Sequence, residues 1–157
     1  MQQAKRVSDS RTEQVQIILP AHANGNYRLF GGQLVQWIDI VAAVVARRHS
    51  GCEVITASID NLSFRKAAYV NSTIVLRGCI TYVGNTSMEV RVDTYVEEVT
   101  GETDRINRAY FTMVALDEFG RPVTVPRLIL ETDEERREWA AGERRSALRH
   151  ERKAQGY

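Results

Sequence analysis

Apolar positions recur with different periods in different stretches of the chain. From Gln33 to His49 nothing breaks a helix, and Leu34, Val35, Trp37, Ile38, Ile40, Val41, Val44 and Val45 leave no polar side of any width. A helix apolar nearly all round is either a membrane span or the buried centre of a domain. The uninterrupted run, Ile40 to Ala46, is much shorter than the ~20 residues a bilayer needs. The pattern therefore predicts a core helix, with Gly51 as its stop. Elsewhere the period is two. Thr73 to Val83, Met88 to Val99 and Ile106 to Leu116 alternate apolar and polar positions, with turns at Gly84-Asn85 and Thr100-Gly101. Such segments are antiparallel neighbours with one face wetter than the other. Thr12 to Leu19 alternates weakly and ends at Pro20, and Val54 to Phe64 is rich in Ile, Val, Thr and Ser; both read as strands. After Pro126 the pattern changes again. Thr132 or Asp133 caps a helix to about Lys153, dense in Glu and Arg at three- and four-residue spacings and docked through Trp139.

This order describes one domain. Residues 1–11 form a polar tail, 12–130 the folded unit and 131–157 the charged helix. At 157 residues the chain can bury a real core. The 21 Lys and Arg nearly balance 20 Asp and Glu, so composition implies no general attraction to nucleic acid or to an acidic membrane. Cys52 and Cys79 have neither metal-ligand spacing nor a disulfide framework, and no basic segment with a following apolar run opens the chain. Both features fit a reducing cytoplasm.

Candidate chemistry centres on Asp39, a carboxylate in apolar company with Val35, Gln36, Ala42 and Ala43 one turn away and no cation there. Such a group is either hydrogen-bonded at a partly exposed edge, by Gln36 or water, or held in a cleft as a general base or nucleophile. Gly31-Gly32 opens the same helix, where the first N–H groups lack acceptors and the macrodipole is positive. That end can polarise a carbonyl or hold an oxyanion. Gly31 and Asp39 lie about 10–12 Å apart along the helix, too far to act on one carbonyl. A shared site therefore needs the glycines of one subunit and the Asp of another.

Several blocks in unbroken order carry a family resemblance: Pro20 with Asn24, Phe30-Gly31-Gly32, Gln36-Trp37-Ile38-Asp39, Thr56-Ala57-Ser58-Ile59-Asp60 with Phe64, Val83 to Val90, and Val114-Ala115-Leu116-Asp117 with Gly120 and Pro126. From about residue 12 to 130 the chain resembles the acyl-CoA hydrolase branch of the hotdog thioesterases. The resemblance implies an α+β hotdog fold, in which a bent antiparallel sheet wraps one long helix. It further implies an enzyme of fatty acid metabolism that hydrolyses acyl-CoA, with coenzyme A as part of the substrate and no cofactor or metal. Asn24 and Asp39 would act together across a homodimer, the dimers grouping into a hexamer as a trimer of dimers. Gly31 and Gly32 would hold the thioester carbonyl. Phe64, Arg65 and Lys66 would meet the coenzyme and its phosphates, and Gly84, Asn85, Thr86 and Ser87 its pantetheine and nucleotide. The pattern departs at His22, where an acidic residue is expected, and at Ala67 and Asn71, which replace Pro and Gly. Two competing readings stay open. One is a hydroxyacyl dehydratase using His22; the other is a non-catalytic acyl-CoA sensor.

Overall fold

The computed structural model describes residues 2–60 and 62–157. In it the apolar stretch forms one helix, α1 (Gly31–Ser50), and an antiparallel sheet curls round it. After a two-residue β1 (Lys5–Arg6) come β2 (Thr12–Ile17), β3 (Glu53–Asp60), β4 (Thr73–Val83), β5 (Ser87–Glu97) and β6 (Thr103–Leu116). Across the sheet the order is β2-β4-β5-β6-β3. β7 (Leu128–Ile129) pairs in parallel with β1, and α2 (Asp133–Ala154) follows. This is the hotdog arrangement that the resemblance implies. Part of the expected polar tail is therefore ordered: β1 is paired, and Val7 is buried beside it. The expected strand to Phe64 ends at Asp60, and Asn61 lies outside the described residues.

The inner sheet face and α1 make the core. Ile74, Leu76 and Ile80 of β4, Met88, Val90 and Val92 of β5, and Phe111 and Met113 of β6 pack against Ile38, Val41, Ala42 and Val45. Gly78 sits in that row because α1 passes directly over it. A Cβ there would meet Val41 Cγ1 at 2.7 Å. At the far end of α1, Gly51 closes the helix at φ 69°, in the left-handed region that glycine favours. Asn71, standing where glycine was expected, has φ 77°, a conformation Asn tolerates better than most residues. The helix is not covered on all sides, contrary to the expectation. Gln36, Ile40 and Arg47 remain exposed along one stripe.

Bulges decide which face several residues occupy. Between Ile80 and Tyr82 the register slips, so Tyr82 leaves the inner row and pairs with Glu89 on the outer face. A second slip between Thr56 and Ser58 leaves Thr56 opposite inward-facing Met113, while Asp60 falls opposite outward-facing Tyr110. The outer face is not simply the wet one, because α2 lies across it. Thr132 caps α2 reciprocally with Glu135. Trp139 packs on Tyr82 with ring centroids 4.6 Å apart, as expected of that anchor. The rest of the docking is ionic. Glu89, 1% exposed, accepts from Arg145 Nη2 at 2.8 Å and Nε at 2.9 Å and from Thr81 Oγ1 at 2.6 Å. Asp60 accepts from Arg149 at 2.9 Å.

Candidate active site

Asp39 points from α1 toward β3, half-buried. Its Oδ1 accepts a 2.6 Å hydrogen bond from Thr56 Oγ1. The bulge after Thr56 makes this possible, since it holds Thr56 on the face that looks at α1. Gln36, the partner expected from one helical turn, is hydrogen-bonded to Gln33 instead. A short bond from a hydroxyl to a carboxylate fixes one lone pair of Oδ1 and leaves Oδ2 to accept a proton.

The other end of the site is the start of α1. Phe30 occupies the N-cap position without a side-chain cap, and the amides of Gly31 and Gly32 find no acceptor among the described residues. Both glycines are crowded by aromatic rings. A Cβ on Gly31 would stand 3.4 Å from Phe64 Cζ, and one on Gly32 would stand 2.6 Å from Phe30 Cε1. The absent side chains thus let two rings frame the helix start. Beside it opens a cavity of about 400 Å³ lined by Asn24, Arg28, Gly31, Phe64, Arg65 and Lys66, among others. Asn24 heads a tight turn, with Oδ1 accepting from the amides of Asn26 at 3.0 Å and Arg28 at 3.3 Å. With Oδ1 engaged, the side-chain amide has N–H groups left to offer. The turn also holds Tyr27 at φ 58°, an uncommon conformation for so large a residue.

Asn24, Gly31, Phe64, Arg65 and Lys66 are therefore brought together, with Gly32 adjoining them. Asp39 does not line that cavity and lies about 12 Å further along the helix. The turn Gly84–Ser87 is remote from it within one chain. Asn85 O accepts from Val125 N, and Thr86 O from Ala115 N, whose partner Val54 lies at the start of β3, a few residues after the end of α1. The turn thus sits at the C-terminal end of a helix roughly 30 Å long. Lys66 is engaged by Asp104 at 2.6 Å, whereas Arg65 has no acidic partner among the described residues.

Neither His22, the dehydratase candidate, nor His49 at the end of α1 reaches this chemistry. His22 accepts the Leu19 amide on Nδ1 at 3.0 Å and meets Trp37 edge-on, so it braces the loop. That leaves the dehydratase reading without its base. His49 is fully buried and bonds through Nε2 to Pro126 O at 2.9 Å. Burial pushes its pKa down, so it is neutral and cannot serve the helix dipole as a cation, the role its position suggests. Thr56 is the site residue that sequence reasoning missed. A Thr in a strand is ordinary, and only the fold puts its hydroxyl on Asp39.

Residues 27–102 match the family model described as the thioesterase superfamily. The chain is 38% identical over 128 residues to the acyl-CoA thioester hydrolase YkhA of Bacillus subtilis, itself described as uncharacterized, covering 81% of this chain and 74% of that one. Among solved structures it resembles an apo-hexameric acyl-CoA thioesterase, with TM-score 0.92, 38% identity and coverage of 97% and 98%. It also resembles the acyl-CoA hydrolase of Staphylococcus aureus in complex with butyryl coenzyme A, coenzyme A and coenzyme A disulfide. There the TM-score is 0.88 and the identity 33%, with coverage of 97% and 96%. Variants of that hydrolase with an Asp, an Asn or a Thr replaced by alanine match as well.

Proposed function

This chain belongs to the thioesterase superfamily, and from that membership we propose that it hydrolyses acyl-CoA thioesters at a site shared by two copies. The observation that carries the reading is the pairing of Asp39 with Thr56 some 12 Å from an uncapped, glycine-built helix start. The thioester carbonyl rests on the amides of Gly31 and Gly32, with Asn24 donating to the carbonyl or to the attacking water. The partner's Asp39 then acts in one of two ways. As a base it takes a proton from water while the water oxygen bonds to the carbonyl carbon. As a nucleophile it forms a mixed anhydride that water then opens. Either way the C–S bond breaks, the sulfur leaves as thiolate and is protonated, and the acyl group departs as a carboxylic acid. Negative charge gathers on the carbonyl oxygen in the transition state, where unpaired amides at a helix N-terminus are most effective.

Surface features support the shared site. β3 has β6 on one side and no strand on the other among the described residues, and its Ile55 and Ile59 are exposed, as is Ile40 of α1. A long apolar edge is a template for another strand. A twofold axis would pair β3 with its own copy antiparallel. That pairing lays the partner's Gly84–Ser87 end beside residues 62–66, so the turn can reach a coenzyme from across the interface. Such dimers then group in threes, as the hexameric relative suggests. The residue types Asn, Asp and Thr, each altered in variants of the S. aureus hydrolase, all occur at the proposed site as Asn24, Asp39 and Thr56.

Thiol release from a panel of acyl-CoA chain lengths tests the activity. Asp39→Asn should lower kcat by orders of magnitude while the protein stays folded and still binds CoA. A folded variant with the parent rate would overturn the assignment, and no release from any chain length by the parent would favour the sensor reading. Mixing Asn24→Ala and Asp39→Asn subunits tests the sharing. A composite site regains about a quarter of parental activity, because each mixed dimer holds one intact site; a site within one chain regains none.

A further inference from the structure

The two ionic anchors of α2 hold different things. Arg145 clamps Glu89 of β5, a strand with β4 on one side and β6 on the other, and so ties the helix to the centre of the sheet. Arg149 and Arg152 reach Asp60, the last residue of β3. Arg149 Nη1 donates to Asp60 Oδ2 at 2.9 Å, and Arg152 Nη2 to Oδ1 at 3.4 Å. Asp60 is 8% exposed, and Arg149 is the more deeply covered of its two partners. A carboxylate so covered is costly to leave without its cation. β3 is bonded to β6 alone among the described residues, so its end has few contacts to resist a displacement.

The chain beyond Asp60 builds a wall of the candidate site. Four residues on, Phe64 lies against Gly31, where a Cβ would stand 3.4 Å from its Cζ. Arg65 and Lys66 line the same cavity. No backbone–backbone hydrogen bond involves residues 62–67 among the described residues. Phe64 is 52% exposed, so burial of its own ring does little to seat it. The exposed bridge from Lys66 to Asp104 adds little. The segment is fixed instead at Leu62, which packs on the core, at Ser63 O, which accepts from Asn107 Nδ2, and at Asp60. Resting on the hydrolase reading above, we propose that Asp60 and Arg149 are positioning residues for thioester cleavage. By holding the end of β3, α2 keeps Phe64 seated against Gly31, where the carbonyl oxygen binds. Without Arg149 the Asp60 carboxylate turns toward water, the strand end follows it and the ring leaves the helix start. A misplacement of about 1 Å can cost about 100-fold in rate even when its source is far from the chemistry. α2 contributes no lining residue to that cavity and acts on turnover only through β3.

The chain has four Phe residues, so protein made with 4-fluorophenylalanine gives four fluorine signals, and Phe64→Leu identifies the one from Phe64. In Arg149→Met, shown to be folded by circular dichroism, that signal should shift and narrow, and kcat for acyl-CoA should fall about tenfold or more. Arg149→Lys keeps a cation within reach of Asp60 and should recover part of both changes. Asp60→Asn removes the charge without changing the shape and should behave like Arg149→Met; it carries the test should the methionine variant not fold. The double variant should lose no more than the worse single one, since both break one contact. Trp139→Leu is the control for a weakened α2. It lies about 15 Å back along the helix, against Tyr82, and should lower the urea midpoint while leaving the Phe64 signal and kcat as in the parent. A parental Phe64 signal or kcat in folded Arg149→Met overturns the proposal, as do additive losses in the double variant or an equal loss in Trp139→Leu. Failure of the hydrolase reading looks different: the parent cleaves no thioester, while the Phe64 signal still responds to Arg149→Met.

Discussion

Replacing Gly142 by alanine should destabilise this protein, although the same change strengthens most helices. Gly142 is the buried point at which α2 meets the sheet. A Cβ there would stand 2.6 Å from Tyr82 Cβ and 2.9 Å from Glu89 Oε1. Helix propensity favours alanine by about 0.8–1 kcal/mol. Against that gain, Tyr82 Cβ is rigidly attached to the β4 backbone, and Glu89 Oε1 is held by Thr81 at 2.6 Å and Arg145 at 2.8 Å. Neither neighbour can withdraw by swinging a loose end, so the penalty belongs at the top of the 1–3 kcal/mol that overpacking costs. The net loss is about 2 kcal/mol, or roughly 4–8 °C in Tm for a chain of this length. Urea unfolding followed by far-ultraviolet circular dichroism and by tryptophan fluorescence measures it. Ala147→Gly, at an exposed position of the same helix, should cost only the propensity difference and serves as the control. A Gly142→Ala protein as stable as the parent, or more so, would refute the close seating of α2 on β4.

Thr56→Val should lower kcat about 10- to 100-fold with little change in KM, the range expected for losing one hydrogen bond to a charged group. Thr56→Ser should restore most of the rate; a serine variant as slow as the valine one would show that packing, not the hydroxyl, matters. His49 should make stability fall as the solution is acidified. Its folded pKa lies below the ordinary value of 6.5 because burial disfavours the cation. Its contribution is therefore complete above pH 6.5 and is lost as pH falls below that value, where the unfolded chain takes up the proton first. Urea midpoints at pH 7.5 and 5.5 should drop further apart for the parent than for His49→Gln, and an equal drop in both would refute the neutral assignment.

Elements with a strong local period are legible in the amino-acid sequence. β4 begins and ends where its alternation does, at Thr73 and Val83, and Gly51 and Thr132 occupy the helix ends where their chemistry places them. The Asn24 and Gly31 part of the site is legible as a set of blocks, and the separation of Gly31 from Asp39 follows from helix rise alone. What stays hidden depends on partners distant in the chain. Each bulge reverses the faces of the residues beyond it, so alternation assigns Tyr82 to the core row although it supports Trp139 outside. Counting apolar positions along α2 finds only Trp139 as its anchor. The ionic anchors, Arg145 and Arg149, look like ordinary members of a solvated face until Glu89 and Asp60 are found beneath them.

Periodicity, caps and stops are interactions between residues within a turn or two of one another, and for those the chain alone sufficed. It determined that one apolar helix would be buried by an antiparallel sheet and that a carboxylate would be carried on that helix. Tertiary structure decided which hydroxyl holds Asp39, which arginines remain unpaired, and which end of the molecule Gly84–Ser87 occupies. Those outcomes follow from strand register and from helix seating, where one inserted residue or one missing Cβ changes every contact that follows.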